Sequence, residues 1–283
     1  MQVFIDDTLV LTADLPSDGG PFGSVATGYV AFGNEQGAES LFRNLLVTDP
    51  SNRVLYRSSL TDPVILDQFA AGTNVLPSIM DGGKRDRLDF TGDIGISGLT
   101  LLYSTFAREY LAGSVELFSD YQRPDGRIAT ELPPQYNPGV TPPTAVNVTG
   151  LLIPDYDLQH ITSIYHYYLY TGDQAFLKTQ WPVVQKVIAA FNGFMNNPKR
   201  LVIPPSVFGP AAADTLTNAH FYGVLLQAAQ LAIALGQADV AATYTTTAGQ
   251  LRAAINVNLF NASTGLYDVS TAQPGVADRS LFW

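Results

Sequence analysis

The 283-residue chain is 46% hydrophobic, with 24 Gly, 18 Pro, 15 Phe and 14 Tyr, a globular composition that excludes disorder and collagen-like repeats and is long enough for two packed modules. Its 25 acidic and 15 basic residues leave a formal net charge of -10, a field that repels polyphosphate and anionic lipid, so neither nucleic acid nor membrane is an expected partner. Charged residues are only 14%, so hydroxyl and amide side chains must wet much of the surface, which suits an extracellular protein that handles carbohydrate.

Residues 1–60 predict a β-rich module. Its short strand-like segments are QVFID, TLVLTA, GYVAFG, SLFRNLLVTD and RVLYRSSL, punctuated by SDGGP and GNEQG. Sixty residues bury little on their own, so the module reads as the C-terminal part of a β-sandwich. Residues 61–92 read as a linker and a charged loop, and residues 93–283 as a mainly α domain. Helical periodicity predicts segments over 93–110, 112–122, 155–171, 174–195, 212–235 and 238–259. Gly113, Gly172 and Gly236 mark short connections, which gives three αα-hairpins. Several helices carry small and aromatic residues around more than one face, as in ITSIYHYYLY, so the hairpins are expected to stack in a ring. The long Pro- and Gly-containing loops 123–154 and 197–211, with Tyr136 and Phe208, are expected to wall a cleft.

No cysteine is present, so there is no disulfide framework or thiolate metal site. His160, His166 and His220 lack the spacing of an HExxH-type motif, so neither a metal nor a cofactor is expected. No apolar run is long enough to span a membrane, and the start MQVFIDDTLVL does not resemble a signal peptide.

The densest polar stretch is DGGKRDRLDFTGD, residues 81–93. It places Asp81, Asp86, Asp89 and Asp93 among Lys84, Arg85 and Arg87. Two readings fit these residues. One is a solvated turn with internal ion pairs and Asp93 as N-cap of the next helix. The other is a glycosidase site, in which one carboxyl protonates a leaving oxygen while another activates water. Glu131, in the loop sequence IATELPP, is either a surface carboxylate or a group that reaches a cleft. Most of Tyr165, Tyr167, Tyr168 and Tyr170 are expected to be packing residues. Asn147 and Asn261 head possible glycosylation triplets.

The thirteen residues DGGKRDRLDFTGD resemble, without a gap, the signature D-C-P-x-R-E-R-x-G-W-x-G-D of α-L-rhamnosidases of glycoside hydrolase family 78. The KRDR string is similar to the fungal branch of that family. PDYDLQHITSIYHYYLYTGDQAFLKTQWPVV resembles its helix–GD–helix hairpin, and GYVAFGNEQGAESLFRNLLVTD resembles the end of the concanavalin-like jelly roll that precedes the catalytic domain. The resemblance implies part of an (α/α)6 barrel, about three of six hairpins, acting by inversion on terminal α-L-rhamnosides, with rhamnose-containing glycosides or polysaccharides as partners. By motif position it implies Asp86 as general acid. Asp81, Arg85 and Asp93 would hold sugar hydroxyls or tune the acid, and Phe90, in place of Trp, would be an apolar wall. Asp157 is a further implied sugar contact, with the N-cap of the 155–171 helix as its alternative.

Two departures stand out. Asp86 is one methylene shorter than the bacterial Glu, and its neighbours Arg85 and Arg87 would depress a proton donor unless they face other carboxylates. The family's general base is a later Glu, yet none follows Glu131. The chain is therefore expected to be a fragment whose base lies outside it. Alternatives are another inverting glycosidase on the same barrel, or a non-catalytic carbohydrate-binding fragment.

Overall fold

A computed structural model describes residues 2–5, 8–12, 39, 41–68, 75–82, 85–139, 141–143, 152–205 and 212–278. The expected GYVAFG strand, Lys84, Asn147 and Phe208 lie outside these. The chain forms two compact units, Met1–Ala71 and Gly72–Trp283. The signature loop falls within the second unit.

In the first unit β1 (Gln2–Ile5) pairs antiparallel with β2 (Thr8–Thr12), and β3 (Leu45–Thr48) with β4 (Val54–Ser58). The turn after β3 is closed locally. The Asp49 carboxylate accepts from the amides of Ser51 and Arg53 at 2.9 and 3.0 Å, the self-capping that favours Asp at turns. A short helix α1 (Val64–Gln68) follows. Among the described residues these strands form two separate two-stranded ladders.

The second unit is mainly helical. Its helices are α2 (Thr91–Ser104), α3 (Arg108–Asp120), α4 (Pro154–Thr171), α5 (Gln174–Phe194), α6 (Thr215–Ala234) and α7 (Ala238–Asn258). They pair as three hairpins. Between α4 and α5, Gly172 takes the left-handed conformation (φ 65°) that ends a helix at no steric cost, and Asp173 caps α5 through the Phe176 amide at 3.0 Å. Gly236, at φ 75°, serves the α6–α7 turn.

The first hairpin turns differently from expectation. Its connection is Thr105–Ala107, with Phe106 at φ 55°, whereas Gly113 lies inside α3. Gly113 is needed there for closeness, because an added Cβ would overlap the Pro77 carbonyl oxygen. The same segment is fastened by the Ile79 amide donating to the Ser114 hydroxyl at 2.9 Å.

Helix α4 packs between α2 and α6. That position explains its two apolar faces, on which Leu158, Ile161 and Ile164 are fully buried. A polar triad crosses the same core. His160 of α4 meets the Ser119 hydroxyl of α3 at 3.1 Å, and that hydroxyl donates to Gln180 of α5 at 2.5 Å. Burial pulls the His160 imidazole down to about 3, so it stays neutral and structural. Two small ladders complete the unit: β5 (Asp89–Phe90) with β6 (Glu131–Leu132), and β7 (Phe260–Asn261) with β8 (Leu266–Tyr267). The first of these positions the site.

Candidate active site

Strand β5 runs directly into α2, so the second half of the charged stretch is fixed by both a ladder and a helix start. Asp89 lies opposite Leu132 and Phe90 opposite Glu131. Phe90 occupies the N-cap position of α2, and Asp93 sits within the first turn rather than capping. There the N-terminal dipole of α2 favours its carboxylate. Asp93 also pairs with Arg85 at 3.3 Å.

The preceding loop is organised around Asp81, whose side chain is fully buried. Its carboxylate accepts from the amides of Asp86 and Leu88 at 3.0 and 3.2 Å and lies 3.5 Å from Arg85. Burial acts to raise its carboxyl, but those amides and the Arg85 charge hold it below the usual carboxylate range. Asp81 is thus the hub that shapes the loop. Arg85 is turned toward Asp81 and Asp93, so it does not neutralise Asp86. The Asp86 side chain is exposed, its backbone is pinned through its own amide, and among the described residues no cation pairs with it.

Glu131 is brought to this loop by the β5–β6 ladder. Burial and then the Asp86 charge push its carboxyl up, so the two carboxylates share one electrostatic neighbourhood. Phe90 is only 7% exposed and meets Tyr156 edge-on, with centroids 6.5 Å apart at 85°. Tyr156, half-buried in the first turn of α4, is the more accessible aromatic. Gly92 makes room for it, since a Cβ there would enter its ring. Burial and then the Asp93 charge raise the Tyr156 phenol, with Arg85 opposing and Asp155 adding. The charged ends of α2 and α4 therefore meet at this ring.

Asp157 is not part of this surface. It is not the N-cap of α4, which is Ile153. Its side chain is 1% exposed and accepts from Arg127 at 2.6 and 3.1 Å and from the Ile128 amide at 2.6 Å. Burial pushes its carboxyl up, and the Arg127 charge and these donors push it down. These bonds make Asp157 an anchor of the 121–132 loop.

Sequence reasoning assigned no role to Asp89, yet it is the most perturbed carboxyl in the loop. It is completely buried, and neither its oxygens nor the nearby Thr91 hydroxyl has a well-formed hydrogen bond. Burial, opposed by the Ser78 hydroxyl and reinforced by the Asp81 charge, pushes it up to about 6 from the ordinary 3.8. Alternation supplied no signal for this: period two sets Asp89 on the face opposite the apolar Leu88 and Phe90, whereas Asp89 and Phe90 are both buried. Its folded pKa is the higher one, so the folded state binds the extra proton and stability declines as pH rises from about 4 through about 6, by up to about 3 kcal/mol. Asp89→Asn should abolish that component. The difference in melting temperature between variant and parent is expected to be small at about pH 4 and to favour the variant above about pH 7. A difference that does not grow with pH would refute the assignment.

Among the described residues no three His, Asp or Glu side chains converge to hold a metal ion. A groove of about 410 Å³ between residues 78–79, α2 and Tyr110 lies apart from Asp86 and carries no charged group.

Residues 68–277 match the family described as the bacterial α-L-rhamnosidase six-hairpin glycosidase domain. No curated protein matches. Among solved structures, the fold is similar to that of the family 78 rhamnosidase of Bacillus sp. GL1, at 18% identity and a TM-score of 0.56, over 65% of this chain and 19% of that one. It is also similar to the rhamnosidase from Klebsiella oxytoca with rhamnose bound, at 21% identity and 0.56, over 69% of this chain and 37% of that one. The chain therefore spans well under half the length of either structure.

Proposed function

This chain belongs to the bacterial α-L-rhamnosidase six-hairpin glycosidase domain family, and from that premise we propose that it contributes the proton-donating half of a site that hydrolyses terminal α-L-rhamnosides. Asp86 is the general acid. The observation that carries this is the diversion of Arg85 to Asp81 and Asp93, which leaves the Asp86 carboxyl exposed, on a pinned backbone and without a cationic partner among the described residues. Arg85 and Asp93 hold sugar hydroxyls, and Phe90 backs the pocket wall through Tyr156. Asp81 acts by setting the loop.

The reaction is inverting: Asp86 protonates the glycosidic oxygen as it departs, and a second carboxylate directs water to the opposite face of the ring. Rhamnose as the sugar is supported by the description of the Klebsiella oxytoca structure with rhamnose bound. The low content of charged residues supports an extracellular setting. The KRDR string supports a fungal-type member, and the ladders of residues 2–58 are read as the end of a β-sandwich. The test is hydrolysis of an aryl α-L-rhamnoside by the protein that carries this domain, followed by NMR from the first turnover. The β-anomer of L-rhamnose is expected first. Initial release of the α-anomer, or no hydrolysis of any α-L-rhamnoside, would refute the reading.

A further inference from the structure

The stretch that carries Asp86 also carries a carboxyl turned fully inward. Asp89 stands where the signature this loop resembles has Gly, and it is completely buried. It is the middle of three antiparallel segments: Met80 bridges it on one side and Leu132 pairs with it on the other. The Met80 side leads straight into the Asp81 hub. The Asp81 amide donates to the Leu88 carbonyl at 3.0 Å, and the Asp81 carboxylate accepts from the Leu88 and Asp86 amides at 3.2 and 3.0 Å. Leu88, the residue before Asp89, is therefore held by Asp81 at both polar atoms of its backbone, and the Asp86 amide is held by the same carboxylate.

The surroundings of the Asp89 carboxyl suit an acid and not its anion. From residues 78–82 it meets the Ser78 hydroxyl and the charge of Asp81, and from β6 the apolar Leu132. Glu131 lies opposite Phe90 and so on the other face of that ladder. At the start of α2 the Thr91 hydroxyl is likewise buried without a well-formed hydrogen bond, and Asp93 is turned to Arg85. Among the described residues no cation or amide meets the Asp89 oxygens. An anion there adds an uncompensated charge beside that of Asp81. The fold relieves it only by keeping the proton or by letting the carboxyl out to water. The second route strains the Met80 bridge and the β5–β6 pairing and pulls on Leu88, which Asp81 holds.

We infer that Asp89 in its neutral form is a positioning residue for Asp86, and that its ionisation loosens the Asp81 hub and with it the loop from which Asp86 works. Being buried, Asp89 acts through Leu88 and Asp81. Activity then carries a dependence on pH that belongs to neither of the two carboxylates that carry out the hydrolysis. The inference rests on the rhamnoside reading above, with Asp86 as its general acid.

Two measurements test it together. A dinitrophenyl α-L-rhamnoside separates Asp89 from Asp86, because its leaving group departs without a proton from the general acid. On that substrate kcat/KM of the protein that carries this domain is expected to fall by about 10-fold or more between about pH 5 and about pH 7.5, the loss for one group that titrates at about 6. The fall should vanish from the profile of Asp89→Asn, whose side chain keeps the shape of the neutral acid and cannot ionise. Hydrogen exchange gives a readout apart from catalysis. The protection factors of the Asp86 and Leu88 amides are expected to drop over the same pH range in the parent and to stay level in Asp89→Asn, with the amide of Ile161, buried in α4, as the reference for global opening. If the fall in kcat/KM persists in Asp89→Asn, or both amides keep their protection, or Ile161 loses as much as they do, the role of Asp89 is wrong. The rhamnoside reading then stands as long as Asp86→Asn is impaired on an alkyl α-L-rhamnoside. If the parent protein hydrolyses no α-L-rhamnoside, that reading fails and this inference with it.

Discussion

Arg127→Met is expected to destabilise the helical unit by about 3–5 kcal/mol, the range found when one member of a buried ion pair is removed. Arg127 is 1% exposed, and its guanidinium joins three segments. Its Nε and Nη2 donate to Asp157 of α4 at 3.1 and 2.6 Å, its Nη1 donates to the Pro205 carbonyl at 3.1 Å, and its carbon centre lies 5.9 Å from the Phe194 ring of α5. The Ile128 amide donates to the other oxygen of Asp157. Deleting the guanidinium leaves a buried carboxylate with one amide partner, and that uncompensated charge accounts for most of the cost. The double variant Arg127→Met/Asp157→Leu should therefore be more stable than Arg127→Met alone, since it removes the stranded charge as well. Urea unfolding monitored by circular dichroism measures both. A cost under about 1 kcal/mol for Arg127→Met, or a double variant no better than the single one, would contradict this account.

That ion pair also marks where sequence reasoning reached its limit. The last four long helices were legible because Gly172, Gly236, Asp173 and the apolar spacing act locally, and each of their boundaries lies within three residues of expectation, whereas the first ends at Ser104 and not near 110. Gly113 misled for a tertiary reason: its lack of a Cβ serves contact with Pro77, while the turn it was expected to make is made by Phe106 in a left-handed conformation that side chains ordinarily avoid. The pairing of Asp157 with Arg127, thirty residues away, carries no sequence signal. The motif located Asp81, Arg85, Asp86 and Asp93 in one loop, but it could not divide their labour. Only the fold shows that Asp81 faces inward as a hub, that Arg85 turns from Asp86, and that two-residue β5 and β6 bring Glu131 beside them. Ladders that short carry no detectable alternation.

Asp86→Asn is expected to lower kcat/KM on a phenyl or alkyl α-L-rhamnoside by about 10²–10⁴-fold, the usual contribution of a positioned general acid. An amide cannot give up a proton to the departing oxygen, whereas the loop should survive the change, because Asp86 contributes its backbone amide and not its side chain to the Asp81 hub. The proton-donating role predicts a dependence on the leaving group that a merely structural role does not. A dinitrophenolate leaves without protonation, so the same variant should retain most of its activity on the dinitrophenyl rhamnoside. Asp86→Glu restores the acid one methylene further out and should recover part of the loss on the poor leaving group. Asp81→Asn should behave differently: with the acceptor of the Asp86 and Leu88 amides weakened and Arg85 deprived of one partner, activity on both substrates should fall together with stability. Equal losses on the two leaving groups for Asp86→Asn would remove it from the acid role and return the motif carboxylates to binding.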